Sequence, residues 1–493
     1  MHFKTNITGV TADSRQVRPG YLFAALPGVK ADGRDYINQA IQNGAKVILA
    51  PSGTPVPLCC HPERSEGSKK DPSAKPQDDM YDEIEFLTDD NPRRAYAYAC
   101  ADFYKHQPGH IVAVTGTNGK TSTVNFIQQI WQELDINGAS LGTLGIKTAE
   151  EYIEGAMTTP DPQVMHETLA GLYEKNITHV ALEASSHGLD QCRLEGVKIR
   201  AAAFTNLTQD HLDYHGDLEA YFQAKARLFG ELLDEGSAAV LNTDMAYFPK
   251  IKEVCEQRSL RIMGYGHQKD EYLSYEEPEP TLHGYYVKLT IEGQAYDLHI
   301  PLVGRFQVDN ALAALLLVHA EGRYPLKDIL SAVSKLKPVR GRLEAVPGHP
   351  KQAGVFVDYA HTPDALVTAL KSLSSHARGR LICVFGCGGD RDKAKRPLMA
   401  KAVSENADVA ILTDDNPRTE DPASIRADAL KGAPDVLGIA DRREAIDCAI
   451  KIAEEGDIVL IAGKGHEQGQ EIMGVKHPFD DVSEVKKAME RLS

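Results

Sequence analysis

The stretch Val112-Ala113-Val114-Thr115-Gly116-Thr117-Asn118-Gly119-Lys120-Thr121 carries the residue types of a triphosphate site. Backbone N–H groups of a glycine turn, and of the helix turn after it, point at phosphate oxygens; a lysine adds a point charge and a threonine hydroxyl can ligate Mg2+. Thr and Asn would also serve as ordinary helix caps, but a cap has no use for Lys120. The flanks favour the phosphate loop, since an apolar strand is expected from His110 to Val114 and a helix from Thr121 to Leu134. The general loop pattern places glycine where this chain has Val114, so the loop is a shortened variant.

Further candidates follow downstream. Glu183 ends the apolar run Val180-Ala181-Leu182, His211 lies in Asp210-His211-Leu212-Asp213, and Lys225 lies in Ala224-Lys225-Ala226-Arg227-Leu228-Phe229. Singly, each has a plain structural explanation: a lone histidine is more often a satisfied hydrogen-bonding group, and a lysine on an amphipathic helix is usually solvated. Together with a phosphate loop they become candidates for one site. Of the cysteines, Cys383 and Cys387 have a spacing that invites a metal reading. No second Cys or His pair completes a zinc site. Cys383 in the apolar strand Leu381 to Phe385, and Cys387 in the glycine-rich turn after it, read as free thiols of a reducing compartment.

The glycine loop, the Asp210-His211 pair, the Ala224-Lys225-x-x-Leu228-Phe229 helix and Gly304-Arg305-Phe306-Gln307-Val308-Asp309-Asn310-Ala311 together resemble the ATP-dependent Mur ligases, over nearly the whole chain. The resemblance implies that Thr115, Gly116, Thr117, Asn118, Gly119, Lys120 and Thr121 hold ATP, with Asn310 at the adenine, Arg342 at a phosphate and Asp358 at the ribose. It implies two Mg2+ sites, the first served by Thr121 and Glu183. The second would be served by His211 and by Lys225 carrying a CO2-derived carbamate, an N6-carboxylysine. Lys120, Lys225, His211 and Glu183 would then form the catalytic group. Hard cations need oxygen-rich anionic ligands, which an unmodified lysine cannot supply. Gln307 replaces the Asn of related motifs and is given no role. A UDP-MurNAc-dipeptide would be read by Ser14, Lys30, Thr158, Thr159, Ser185, Gln191 and Arg193.

The string Thr413-Asp414-Asp415-Asn416-Pro417-Arg418 resembles the amino-acid selector of the family members that add meso-diaminopimelate. A guanidinium pairs bidentately with a carboxylate, so Arg418 suits the carboxylate that distinguishes diaminopimelate from lysine. The resemblance adds Arg391, Asp415, Asn416, Pro417, Gly463 and Glu467 to this set, with Glu467 suited to the distal ammonium. An identical string, Thr88-Asp89-Asp90-Asn91-Pro92-Arg93, occurs earlier. Both copies are expected to end a strand and open a helix, with Asp or Asn as cap and Pro at the first helical position. For the first copy, with nothing catalytic around it, capping is a sufficient explanation. The implied reaction activates a D-glutamyl side-chain carboxylate as an acyl phosphate, which the diaminopimelate amine attacks. Three alternatives stay open: a lysine-adding version, a folylpolyglutamate synthase-like ligase, and a nucleotide switch without ligase chemistry.

These groups need a scaffold. From 108 to 338, strands ending at Val114, Leu182 and Phe204 alternate with helices such as Leu218 to Leu233, the pattern of a doubly wound, mostly parallel sheet. Thr281 to Leu302 alternates apolar and polar residues, as an antiparallel hairpin appended to that sheet would. From 339 to 493 a second, Rossmann-like α/β domain is expected, with strands at Val355 to Val357, Leu381 to Phe385, Val409 to Leu412 and Ile458 to Ile461. Polar clusters follow each strand, and ligands in such sheets bind at the strands' carboxyl ends, so one shared cleft is expected. Residues 1–107 read as a small α/β domain for the nucleotide sugar, with a helix from Tyr36 to Asn43 and a strand from Lys46 to Ala50. Within it, 51–80 is rich in Pro, Ser, Lys and Asp and is expected to be a disordered insertion. The fold class is therefore α/β in three domains, with closure of the third onto the second excluding water.

A chain of 493 residues is too long for one core. Its net charge of -16 argues against a nonspecific nucleic-acid binder. No apolar run reaches the roughly 20 residues that span a bilayer, and Met1-His2-Phe3-Lys4 lacks a secretory pattern. A cytoplasmic monomer acting on small molecules, with no nucleic-acid or membrane partner, is expected.

Overall fold

The computed structural model describes residues 5–28, 31–57, 84–153, 155, 157–281, 284–374 and 376–492. Lys30 and residues 58–80 of the expected insertion lie outside them; Pro51 closes the strand Val47–Pro51. Three main sheets organise the chain. The first runs Gly9–Thr11, Tyr21–Ala24, Val47–Pro51 and Glu85–Asp89 in spatial order, all parallel.

In the second sheet, the strand His110–Thr115 lies between Ile199–Phe204 and His179–Glu183, parallel to both. Strand residues alternate between faces, and the apolar sequence follows that period. Val112 and Val114 enter the core under the helices Lys120–Glu133 and Arg305–His319, while Ile111 and Ala113 enter the core on the opposite face. Arg305–His319 is apolar on nearly every side from Gln307 to Val318, and all of that stretch except Asp309 is buried, as an all-round apolar helix must be. The expected hairpin is present as Gly284–Ile291 and Gln294–Ile300, antiparallel and joined to the sheet through Leu273–Tyr275.

The third sheet orders Glu344–Ala345, Gly354–Asp358, Ile458–Ala462, Leu381–Cys387, Val409–Asp414 and Leu437–Gly438. Cys387 belongs to the strand, correcting its expected place in the turn; with Cys383, Leu381 and Phe385 it fills one face while Ile382 and Val384 fill the other. The cysteines at 100, 192, 255, 383, 387 and 448 are free. Among the described residues, no helix is long and apolar enough to cross a membrane.

Two local expectations fail for physical reasons. The helix Leu218–Arg227 does not run on regularly to Leu233: Leu228–Leu232 widens into a π-helical turn, a register change that recurs near functional sites. The second Asp-Asn-Pro-Arg string opens no helix. Arg418 has a left-handed φ of 52°, and the next helix, Pro422–Leu430, is capped by Asp421, whose side chain accepts from the N–H groups of Ala423 and Ser424.

The third sheet is buttressed by an ion pair with no exposure, Arg442 Nε and Nη2 donating to Asp481 at 2.8 and 2.7 Å. Removing one partner from such a pair leaves an uncompensated buried charge. Arg442→Met is therefore expected to cost about 3–5 kcal/mol, read as a lowered urea midpoint; a loss below about 1 kcal/mol would contradict this account.

Candidate active site

The three central strands deliver their carboxyl ends to one place. Gly116, at a φ of 143°, follows His110–Thr115, and a Cβ there would lie 2.0 Å from Thr205 Oγ1. Gly119, at a φ of 89°, sits before the helix, and its Cβ would lie 2.2 Å from Asn310 Oδ1. Both positions need glycine on two counts, conformation and space. Segment 205–208 clamps the loop: Asn118 N donates to Asn206 Oδ1 at 2.8 Å, Thr205 Oγ1 donates to Asn118 O at 2.6 Å, and Thr117 Oγ1 donates to Thr208 O at 3.1 Å. Sequence reasoning gave these residues no role; their signal was position, directly after the strand ending at Phe204. Lys120 Nζ folds back to donate to Gly116 O and Thr117 O, each at 2.8 Å.

Glu183 is buried and aimed by Thr143, whose N–H donates to Oε1 at 2.8 Å and whose hydroxyl donates to Oε2 at 3.1 Å. Thr143 Oγ1 lies 2.9 Å from Thr158 Oγ1, and Thr159 Oγ1 donates to Glu183 O at 2.8 Å. Ser185 caps Ser186–Asp190 through Gly188 N, while Arg193 Nη1 donates to Thr159 O at 2.7 Å and Nη2 to Gln191 Oε1 at 2.8 Å. Thr158, Thr159, Ser185, Gln191 and Arg193 therefore form one cluster beside Glu183. Ser14 lies on the first sheet's side, its hydroxyl donating to Gln39 Oε1 at 3.1 Å.

Lys225 joins the loop from the opposite side. Its Nζ is buried, donates to Gly116 O at 2.8 Å, and sits 4.4 Å from the Tyr221 ring centroid. Burial and the nearby Lys120 charge push its pKa well below the usual lysine range, against the pull of Asp210. His211, in a left-handed conformation with a φ of 54°, holds Nε2 3.4 Å from Asp210 Oδ2. Burial pushes its imidazole down to about 4, against Asp210. Burial pushes Asp210 up, but His211, His361 and Lys395 outweigh it and hold the carboxyl below the usual range. His361 and Lys395 belong to the third sheet's unit, so its charges face the Asp210–His211 turn. Among the described residues no three of His, Cys, Asp and Glu form a ready metal cluster; the implied Mg2+ ligands include a hydroxyl and a carbamate oxygen.

Two contacts bridge the same seam. Arg342 Nη2 donates to Thr121 Oγ1 at 3.2 Å, and its guanidinium lies 4.5 Å from the Tyr359 ring centroid. Gln307 Nε2 donates to Arg342 O at 3.3 Å, and its Oε1 accepts from Asn310 Nδ2 at 3.0 Å, so Gln307 ties the implied adenine contact to the implied phosphate contact. Asp358 is buried and accepts from Leu343 N at 2.7 Å and Ala360 N at 2.8 Å; burial pushes its carboxyl up, against Arg342.

The turns after the third sheet's strands also converge. The hairpin Gly469–Ile472 and Val475–Pro478 grips Arg418 through its backbone, with Arg418 N donating to Glu471 O at 3.0 Å and Met473 N donating to Arg418 O at 2.6 Å. Arg418 Nη1 donates to Gly389 O at 2.7 Å, next to the exposed Arg391 turn. Asn416 Nδ2 donates to Glu467 Oε2 at 2.8 Å, and Lys464 Nζ donates to Asn416 Oδ1 at 2.8 Å. Sequence reasoning missed Lys464, whose one signal was a lysine in a Gly-Lys-Gly turn behind a buried strand. In the first string, Asn91 caps Pro92–Tyr104 as expected. Its surroundings are richer than expected: Asn91 Nδ2 lies 3.7 Å from Cys192 Sγ, between Gln191 and Arg193, and Arg93 donates to Pro27 O.

Family models described as "Mur ligase family, catalytic domain", "Mur ligase middle domain" and "Mur ligase, glutamate ligase domain" match residues 6–74, 114–318 and 341–465. The chain is 46% identical over 490 residues to the UDP-N-acetylmuramoyl-L-alanyl-D-glutamate--2,6-diaminopimelate ligase of Caulobacter vibrioides, covering 98% of this chain and 96% of that protein. A solved structure of a ligase with the same title superposes with a TM-score of 0.69 at 34% identity, covering 100% of this chain and 97% of that one. A Mycobacterium tuberculosis folylpolyglutamate synthase shares the fold with a TM-score of 0.62 at 18% identity, over 81% of this chain and 94% of that one. With all three stretches matched and a relative this similar along its full length, the chain belongs to the Mur ligase family.

Proposed function

We propose that the protein joins meso-2,6-diaminopimelate to UDP-N-acetylmuramoyl-L-alanyl-D-glutamate at the expense of ATP, in peptidoglycan precursor synthesis. The observation that carries this reading is that Glu467, Asp415, Arg391 and Arg342 all act on Tyr359, so the turns holding Asn416, Lys464 and Arg418 meet the arginine that reaches the phosphate loop at Thr121. The name of the Caulobacter relative supports it. A lysine-adding enzyme has no use for the Arg418 guanidinium. A folate ligase has none for the Asn416–Glu467 pair.

The division of labour follows the three sheets. Residues 1–107, with Ser14 and Lys30, hold the nucleotide sugar together with the Thr158–Arg193 cluster; 108–338 hold ATP; 339–493 hold the amino acid. Loop N–H groups and Lys120 bind the triphosphate, and Asn310 and Asp358 orient the nucleoside. The D-glutamyl carboxylate takes the γ-phosphoryl group and ADP leaves. The diaminopimelate amine then attacks the acyl carbon, phosphate leaves, and the nitrogen loses a proton as the amide forms. Preorganised charge is the largest kind of contribution in such transfers.

Thr121 and Glu183 fit one Mg2+, and His211 with a carboxylated Lys225 fits a second, where the ions would neutralise developing phosphoryl charge. As a free amine Lys225 is a donor and suits no cation. Burial and the neighbouring Lys120 push that amine's pKa down, toward the uncharged form that reacts with CO2, which supports carbamate formation. The reading extends to a cytoplasmic monomer acting on three small, soluble substrates.

Arg418→Ala should raise the KM for diaminopimelate by about 10–100-fold, the worth of a charge-assisted hydrogen bond, with the KM for ATP unchanged. An unaltered diaminopimelate KM in steady-state assays would refute the Arg418 assignment. Lys225→Ala should abolish turnover, and added formate or acetate should restore part of it. Normal turnover in the alanine variant would exclude the carbamate.

A further inference from the structure

Lys464 is a cation of the amino-acid end with no side-chain exposure. Its Nζ donates to Asn416 Oδ1 at 2.8 Å and Glu467 Oε2 at 3.2 Å, and lies 3.5 Å from Asp415 Oδ1. An ammonium withdrawn from water is costly unless its donors are met. Here its neighbours are three residues of the proposed diaminopimelate set: Asn416 and Glu467 accept its hydrogen bonds, and Asp415 faces it as a counter-charge. The same atoms are braced further: Asn416 Oδ1 accepts from Glu471 N at 3.0 Å, and Asn416 Nδ2 shares Glu467 Oε2 with the lysine. Gly463 permits this closeness, since a Cβ there would lie 2.6 Å from Asp415 Oδ2.

The charges of the patch can be counted. Asp415, Glu467 and Asp481 face Lys464 and Arg442, so three carboxylates meet two cations and one negative charge is left over. Asp481 is fully buried, whereas the Glu467 side chain is 30% exposed, so the surplus is presented through Glu467. One surplus negative charge matches one ammonium. Arg418, bonded to Gly389 O and 3.6 Å from Glu471 Oε2, and the exposed Arg391 supply the positive end for a carboxylate.

We propose that Lys464 is a positioning residue that sets amino-acid selectivity: it aims Asn416 and Glu467 and cancels one of the two carboxylates beside it. The pocket is thereby matched to a zwitterionic end group, ammonium and carboxylate together, and mismatched to an end group bearing an ammonium alone. The proposal rests on the diaminopimelate reading above. Without Lys464 the patch carries a surplus of two negative charges, which favours a bare cation such as the side chain of L-lysine over a zwitterion.

The test compares kcat and KM for meso-diaminopimelate and L-lysine, with ATP and the nucleotide dipeptide saturating, in the wild-type chain, Lys464→Met, Lys464→Gln and the double variant Lys464→Met/Asp415→Asn. The single variants should raise the diaminopimelate KM by about tenfold or more with kcat within about threefold, and lower the diaminopimelate-to-lysine ratio of kcat/KM by about tenfold. The double variant, which returns the surplus to one charge, should recover part of that ratio. Lys464→Gln keeps donors to Asn416 and Glu467 and carries the same comparison if Lys464→Met does not fold. An unchanged ratio in the single variants, with both substrates impaired equally, means a purely structural lysine and overturns the proposal. Absence of diaminopimelate turnover in the wild-type chain instead overturns the underlying reading.

Discussion

A buried amine donating to a carbonyl of the phosphate loop, Lys225 Nζ to Gly116 O at 2.8 Å, is the contact on which the ATP site depends. It fixes the helix Leu218–Arg227 against the turn after His110–Thr115, and it brings a nucleophilic nitrogen within the field of Lys120. Two lysines on one loop repel unless one gives up its proton or gains an anionic group. The proposed carbamate on Lys225 would resolve that conflict by turning repulsion into attraction. The π-helical turn at Leu228–Leu232 ends the same helix where the chain leaves the site.

The same constraint organises the seam with the third sheet. Arg342 reaches the Thr121 hydroxyl, Gln307 bonds the Arg342 carbonyl, and Asn310 lies against Gly119. In the proposed reading an acidic chain would bind anionic substrates through a few local donors: loop N–H groups, Lys120, Arg342 at one end and Arg418 with Arg391 at the other. Charges elsewhere on the surface do not enter this arrangement, and in salt they are screened over about 8–10 Å.

Much of this was legible in the sequence because it is local. The strand–loop–helix around Gly116 follows from an apolar run, glycines and a helical period, and the alternation of Val112 and Val114 against Ile111 and Ala113 sorts the two faces of the sheet. The identical strings at 88–93 and 413–418 show where local reading ends. In the first, Asn91 caps a helix; in the second, Asn416 is taken by Lys464 and Glu467, and Arg418 is bent into a left-handed turn by a hairpin more than fifty residues on in the chain. Partners supplied by distant segments decide between the two conformations, and no six-residue window contains them. Lys464 went unassigned for the same reason, and Gln307 because it departs from the Asn of related motifs.

The most direct test of the central claim is an amino-acid panel. Purified chain is incubated with ATP, Mg2+, the nucleotide dipeptide and, in turn, meso-diaminopimelate, L-lysine and L-glutamate, while ADP release and product mass are followed. The account predicts ADP release strictly coupled to a product heavier by one diaminopimelate residue, and little or none with the other two. ADP release that no amino acid stimulates, or robust turnover with L-lysine and none with diaminopimelate, would contradict it.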